Sequence, residues 1–133
     1  MSRILVIEDD KNIANALSLR LRAAGYHVSV AFDSVSGLSL GRSCKPDLIL
    51  LDISMPGGGG FLVAERLRNM APTSSIPLIF LTANREPGLR DQAMTLGAVD
   101  FLEKPYEAKD LLAALAGAMG EPSPKQRAAG SPG

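Results

Sequence analysis

Three four-residue runs, Ile4-Leu5-Val6-Ile7, Leu48-Ile49-Leu50-Leu51 and Leu78-Ile79-Phe80-Leu81, are apolar at every position. An amphipathic helix or a half-exposed strand would interrupt such a run with polar residues. Short continuous runs belong instead to strands buried on both faces, as in the middle of a parallel sheet. Val28-Ser29-Val30-Ala31 is more mixed, as an edge strand would be, and Val99–Leu102 completes a set of five. The segments between them have helical spacing. Ile13, Leu17 and Leu21 recur every four residues across Asn12–Ala24, with Gly25 as a terminator. Ser34–Gly41 rests on Val35 and Leu38 alone. Gly60–Met70 carries Phe61, Leu62, Ala64 and Leu67 opposite Glu65, Arg66 and Arg68. Pro87 suits the first turn of a helix running to Leu96, ended by Gly97. Tyr106–Met119 stripes Leu111, Leu112 and Leu115, which reads as core. Strands alternating with helices predict a doubly wound α/β fold: a parallel sheet, right-handed crossovers and helices on both faces.

Composition sets the scale and removes several function classes. The chain has 133 residues, enough for one domain, and 46% are hydrophobic, enough to fill a core. Fourteen basic residues balance fourteen acidic ones. A binder of nucleic acid or membrane surfaces needs a cationic excess, so neither partner is expected for this chain alone. Cys44 is the single cysteine, which excludes an intrachain disulfide and a Cys-based zinc cluster and fits a reducing compartment. No apolar run approaches a membrane span, and the N-terminus turns acidic too soon for a signal peptide. A cytoplasmic domain is the expectation. Composition changes near Gly120. Residues 121–133 hold three Pro, two Gly and two Ser, with no Val, Ile, Leu, Met or aromatic residue. Such a segment cannot offset its ordering entropy by burial. Residues 1–120 are therefore read as the domain and 121–133 as a disordered tail or linker.

In open parallel sheets, ligands gather beyond the carboxyl ends of the strands. The first run ends in Glu8-Asp9-Asp10, the third in Asp52 and the fourth in Thr82, and the fifth leads to Lys104-Pro105. Taken singly, each residue has a plainer reading: Asp9 or Asp10 as a helix cap, Lys104 as a surface lysine. Their joint placement at four strand ends points elsewhere. Clustered carboxylates repel unless a cation offsets them. A hard divalent ion with oxygen ligands does this, and Mg²⁺ suits one or two carboxylates plus waters and a phosphate, with Mn²⁺ as a substitute. An ionised Asp52 there could attack a phosphoryl donor and form an acyl phosphate. Thr82, Lys104 and the metal would hold the phosphoryl oxygens.

The stretches Ile4–Asp10, Leu50-Leu51-Asp52-Ile53-Ser54-Met55-Pro56, Leu81-Thr82-Ala83 and Asp100–Tyr106 resemble the receiver domain of two-component response regulators, over residues 2–119. The resemblance implies a flavodoxin-like (βα)5 fold with strand order 2-1-3-4-5. It implies a signalling receiver that is not a conventional enzyme but supports its own phosphorylation and dephosphorylation. Asp52 would be the phosphoacceptor, taking a phosphoryl group from a sensor histidine kinase or histidine phosphotransfer protein. Glu8 and Asp9 would hold Mg²⁺ with Asp52, and Ser54 would add its backbone carbonyl. Thr82 would be the switch hydroxyl, Phe101 the switch aromatic, and Lys104 the lysine that bonds a phosphoryl oxygen. Pro105 would follow Lys104 in a cis peptide bond. The face formed by residues 87–119 would be the readout surface, open to an output domain, a partner protein or a homodimer.

Departures from the family pattern carry their own expectations. Phe101 stands where Tyr is frequent, so apolar burial alone must bias its ring. Gly57-Gly58-Gly59-Gly60 lacks the usual polar residue before its last glycine. A mobile loop is one reading, and a positive φ at Gly60 is the other. No Gly-Lys-Ser/Thr follows, so an NTP loop is discounted. The resemblance implies that Ser54 and Asn84 would flank the path of attacking water, and neither is an acid. Other classes fit less well. A phosphohydrolase with an Asp nucleophile would carry an acid where Ser54 stands. A flavodoxin-type electron carrier would place a phosphate against Glu8-Asp9-Asp10. An unphosphorylated docking module would not need the full acidic set. His27 and Cys44 lack ligand-spaced companions, and Tyr106 suits either packing or an interface.

Overall fold

The computed structural model describes residues 2–55 and 59–121. Ten elements alternate: β1 (Arg3–Ile7), α1 (Lys11–Ala23), β2 (His27–Ala31), α2 (Ser34–Ser43), β3 (Leu48–Asp52), α3 (Gly59–Arg68), β4 (Leu78–Thr82), α4 (Leu89–Thr95), β5 (Asp100–Glu103) and α5 (Ala108–Ala118). The strands form one parallel sheet in the order β2-β1-β3-β4-β5. The mixed Val28–Ala31 run is indeed an edge.

The continuous apolar runs are explained by what lies on each side. Leu5, Ile7, Ile49, Leu51, Leu78 and Phe80 point to one face and pack with Val63, Ala64 and Leu67 of α3 and Ala93 of α4. Ile4, Val6, Leu48, Leu50, Ile79 and Leu81 point to the other and meet Leu17 and Leu21 of α1 and Leu111 and Leu115 of α5. Successive strand side chains alternate between faces, so a strand covered twice must be apolar throughout. Each such side chain contributes about 1.5–3 kcal/mol by leaving water. Tyr106 packs against the α1–α5 layer.

Helix α2 is the element whose apolar pattern is thinnest, and its packing differs from the expectation. Val35 is 79% exposed, whereas Gly37 and Gly41 are buried. A Cβ on Gly37 would lie 2.9 Å from Ile7 Cδ1. The helix thus approaches β1 through a glycine face, which a count of large apolar residues cannot register. Helix α4 begins at Leu89, not Pro87, because Gly88 precedes it with φ +89° and right-handed helix cannot run through that residue. Helix α5 begins at Ala108, after an extended Glu107, rather than at Tyr106. Gly25 and Gly97 follow α1 and α4 with φ of +98° and +86°, the left-handed exit that glycine permits.

Asp10 supplies the cap of α1: its Oδ1 accepts from the amides of Asn12 and Ile13 at 2.9 and 3.1 Å. Asp33 does the same for α2, accepting from Ser36 at 2.7 Å. Asp10→Ala is expected to lower the unfolding free energy by about 1 kcal/mol in urea titrations. Asp9→Ala, at an exposed residue with no capping role and beside two other carboxylates, is expected to show no such loss.

Candidate functional site

Parallel register sets the strand ends side by side: Ile7 pairs with Leu51, Asp52 with Leu81 and Thr82 with Glu103. The chain continues the ladder beyond the strands, as the Glu8 amide donates to Ala31 and the Lys104 amide to Thr82 at 2.7 Å. Residues distant in sequence therefore meet at one edge. Glu8, Asp52 and Thr82 are buried there, and Asp9 is exposed at the rim.

One carboxylate oxygen each from Glu8, Asp9 and Asp52 lie within 4.8 Å of one another. Lys104 Nζ sits 3.1 Å from Glu8 Oε1 and 3.8 Å from Asp52 Oδ2. Burial, and then the neighbouring Asp52 carboxylate, push Glu8 up to about 7 against the pull of Lys104. Burial works against the Lys104 ammonium, but Asp52, Glu8 and Tyr106 outweigh it and raise it above the ordinary lysine value. One ammonium leaves three carboxylates undercompensated. Their all-oxygen donor set and excess negative charge suit a hard divalent ion.

Asp52 is held from behind. The Ser54 amide donates to its Oδ1 at 2.8 Å, and its other oxygen faces Lys104. Ser54 Oγ lies 3.2 Å from Thr82 Oγ1, which also accepts from the Asn84 amide at 2.9 Å. Thr82 is thus tied both to the loop after β3 and to its own loop. Phe101, 4% exposed, packs among the α3–α4 face residues. The Arg90 guanidinium lies 6.0 Å over its ring and donates to its carbonyl. Arg85 reaches from the loop after β4 to the Lys104 carbonyl at 2.9 Å and to Glu103 at 3.3 Å. The Lys104–Pro105 peptide bond is cis.

Three contributors were not legible in the sequence. Arg85 and Arg90 bridge toward β5, and no pattern in a lone sequence distinguishes them from other surface arginines. Gly60 is the third. It has no positive φ; instead a Cβ there would fall 2.4 Å from Ile53 Cα and 2.5 Å from the Asp52 carbonyl oxygen. Close approach of α3 to the end of β3, rather than a left-handed backbone, demands glycine. Gly59 and Gly60 open α3, and the mobile-loop reading at Gly57 and Gly58 falls outside the described residues. His27 is exposed at the start of β2, and Cys44 is a half-buried free thiol, both away from this edge.

A sequence model of the response regulator receiver domain matches residues 4–116. The chain belongs to the response regulator receiver family. Among its relatives, the DNA-binding dual master transcriptional regulator RpaA of Synechocystis is 41% identical over 85% of this chain and 47% of its own length. Response regulator PleD of Caulobacter vibrioides is 40% identical over 80% of this chain and 23% of its length. The receiver spans about half or less of these curated relatives. Chemotaxis protein CheY4 of Vibrio cholerae superposes with a TM-score of 0.83 at 28% identity, covering 89% of this chain and 98% of that one. The receiver domain of sensor histidine kinase PA1611 from Pseudomonas aeruginosa, a structure with magnesium coordinated in the active-site cleft, gives 0.82 at 28% identity over 90% and 98%. Among the described residues of this receiver, no helix is long and apolar enough to cross a membrane.

Proposed function

We propose that Asp52 accepts a phosphoryl group from a phosphohistidine on a sensor kinase or phosphotransfer protein. The observation that carries this reading is the meeting of Asp52 with Glu8, Asp9, Thr82 and Lys104 at one sheet edge. A carboxylate oxygen of Asp52 forms the new O–P bond. The donor P–N bond breaks, and the imidazole nitrogen keeps its electron pair. The Ser54 amide fixes the rotamer of Asp52 for this attack. Lys104, already beside Asp52, neutralises charge on a phosphoryl oxygen, and Thr82 donates to another after turning from Ser54. Glu8, Asp9, Asp52 and the Ser54 carbonyl would hold Mg²⁺ or Mn²⁺, which supplies further neutralisation of phosphoryl charge. Residues 1–120 act as the receiver and 121–133 as a tail or linker. Movement of Thr82 and Phe101 is read out on the face of α4, β5 and α5, by an output domain, a partner protein or a second copy.

The test is incubation with acetyl phosphate, with Mg²⁺ or with EDTA, followed by intact-mass measurement. Gain of one labile phosphoryl group that requires the metal is expected; no gain in Mg²⁺ overturns the reading.

Ser54→Ala removes the hydroxyl partner of Thr82 and keeps the amide that holds Asp52. A neutral hydrogen bond is worth about 1 kcal/mol. Losing one that exists only before phosphorylation moves the switch about fivefold toward its phosphorylated arrangement. In NMR spectra, the unphosphorylated variant's Phe101 and α4 amide signals are expected to move part-way toward their phosphorylated positions. Unmoved signals would show that the Ser54 hydroxyl restrains nothing.

A further inference from the structure

At the amino edge of the sheet, across the length of the strands from Asp52, a second cleft of about 460 Å³ opens. Five-residue strands put the two edges roughly 16 Å apart. The starts of β1 and β2, the end of α1 and the turn after α2 form its walls. Arg3, Arg22, Tyr26, His27, Ser29 and Cys44 line it.

The chemistry of these walls is one-sided. Arg3 Nη1 donates to the Cys44 carbonyl at 3.2 Å, and Arg22 Nη2 donates to the Val28 carbonyl at 3.2 Å. Each guanidinium is thereby oriented by one bond and keeps most of its five donors free. Among the described residues, no carboxylate lies within 4 Å of either. Two acids border the cleft without pairing either guanidinium. Asp47 Oδ2 accepts from the Arg3 amide at 2.7 Å, and the Glu121 carboxylate accepts from the hydroxyls of Ser2 and Tyr26. Residues 1–120 carry a net charge of −1, whereas the lining residues include two arginines and no acid. Oriented guanidiniums without a protein counter-ion, in a hollow of ligand size, suit a phosphate group.

We propose that this cleft binds a small phosphate-bearing molecule, with Arg3 and Arg22 holding the phosphate and His27 and Ser29 facing the remainder. Tyr26 lines the cleft and bonds Glu121 at 3.1 Å, so an occupant sits beside the point where the chain leaves α5.

The test is titration of the full chain, isotope-labelled and in EDTA, with pyrophosphate, with ADP and with sodium chloride at matched ionic strength. EDTA keeps metal-bridged phosphate out of the Asp52 pocket. Amide shifts concentrated at Arg3, Arg22, Tyr26–Ser29 and Cys44, saturating with a dissociation constant below about 1 mM, are expected for at least one phosphate probe. ADP binding tenfold tighter than pyrophosphate assigns a nucleotide, and equal binding assigns an inorganic polyphosphate. The double variant Arg3→Gln/Arg22→Gln is expected to weaken binding at least tenfold, and Arg22→Lys to weaken it less. Both arginines are exposed, so the variant spectra should stay folded. Asp52→Asn is expected to bind as wild type. Shifts that sodium chloride reproduces, shifts centred on Glu8 and Asp52, or a double variant that binds as wild type would each overturn the proposal.

Discussion

Asp52→Asn is expected to take up no phosphoryl group under conditions that phosphorylate the wild type fully. The substitution keeps the shape of the side chain and leaves a carbonyl oxygen for the Ser54 amide, now bonded to Oδ1 at 2.8 Å. What disappears is the anionic oxygen proposed to form the O–P bond, together with one of the three carboxylates of the cluster. The loss should therefore be complete in the intact-mass measurement while the fold remains. The same variant reports on the pocket's electrostatics. Glu8 is pushed up to about 7 by burial first and by Asp52 second. With Asp52 uncharged, Glu8 should titrate lower in an NMR pH series, and the part due to burial should remain. Labile uptake by Asp52→Asn equal to wild type would place the phosphoacceptor elsewhere.

Gly60→Ala is expected to cost more stability than a methyl added at any other described glycine. The new Cβ would meet only backbone: Ile53 Cα at 2.4 Å, the Asp52 carbonyl oxygen at 2.5 Å and the Ile53 carbonyl oxygen at 2.8 Å. No side chain can rotate away to make room. Either α3 retreats from the sheet or the end of β3 shifts, and the second moves Asp52 itself. Overpacking of this kind costs about 3 kcal/mol, which corresponds to a fall in Tm of roughly 10 °C or more for a domain of this size. Gly117→Ala is the matched control. It lies in α5 with nothing within 4 Å of its added Cβ, and removing a helical glycine should gain up to about 1 kcal/mol. Equal stability of the two variants in urea unfolding would mean that α3 does not approach β3 as closely as described.

Much of the architecture was readable because it follows from burial alone. Runs such as Leu48–Leu51 can be accommodated only where both faces of a strand are covered, and three of them with two more mixed runs, all separated by helical spacing, imply a doubly wound sheet. The same logic placed Glu8, Asp52 and Thr82 at one edge, since parallel strands all end on the same side. It was less informative where packing uses the absence of a side chain. Helix α2 sits on β1 through Gly37 and Gly41, which leave no apolar signal. Gly60 was legible as glycine but not for its cause, because close approach depends on where α3 lies. Helix α4 was read two residues too early because Pro87 is a good first-turn residue, whereas the positive φ of Gly88 is set by the path of the loop.

The alternation of elements, the parallel sheet and the set of chemically capable residues at its carboxyl edge were all present in the order of the residues. These are properties of hydrophobic period and chain order, which survive any detail of packing. Which groups touch depends on the folded packing: Lys104 nearer Glu8 than Asp52, Ser54 against Thr82, Arg90 over Phe101, and two arginines around a cleft at the far edge. Those contacts join residues separated by up to 96 positions, and their strength depends on distances of a few tenths of an ångström. Such distances are set by the summed packing of the whole domain.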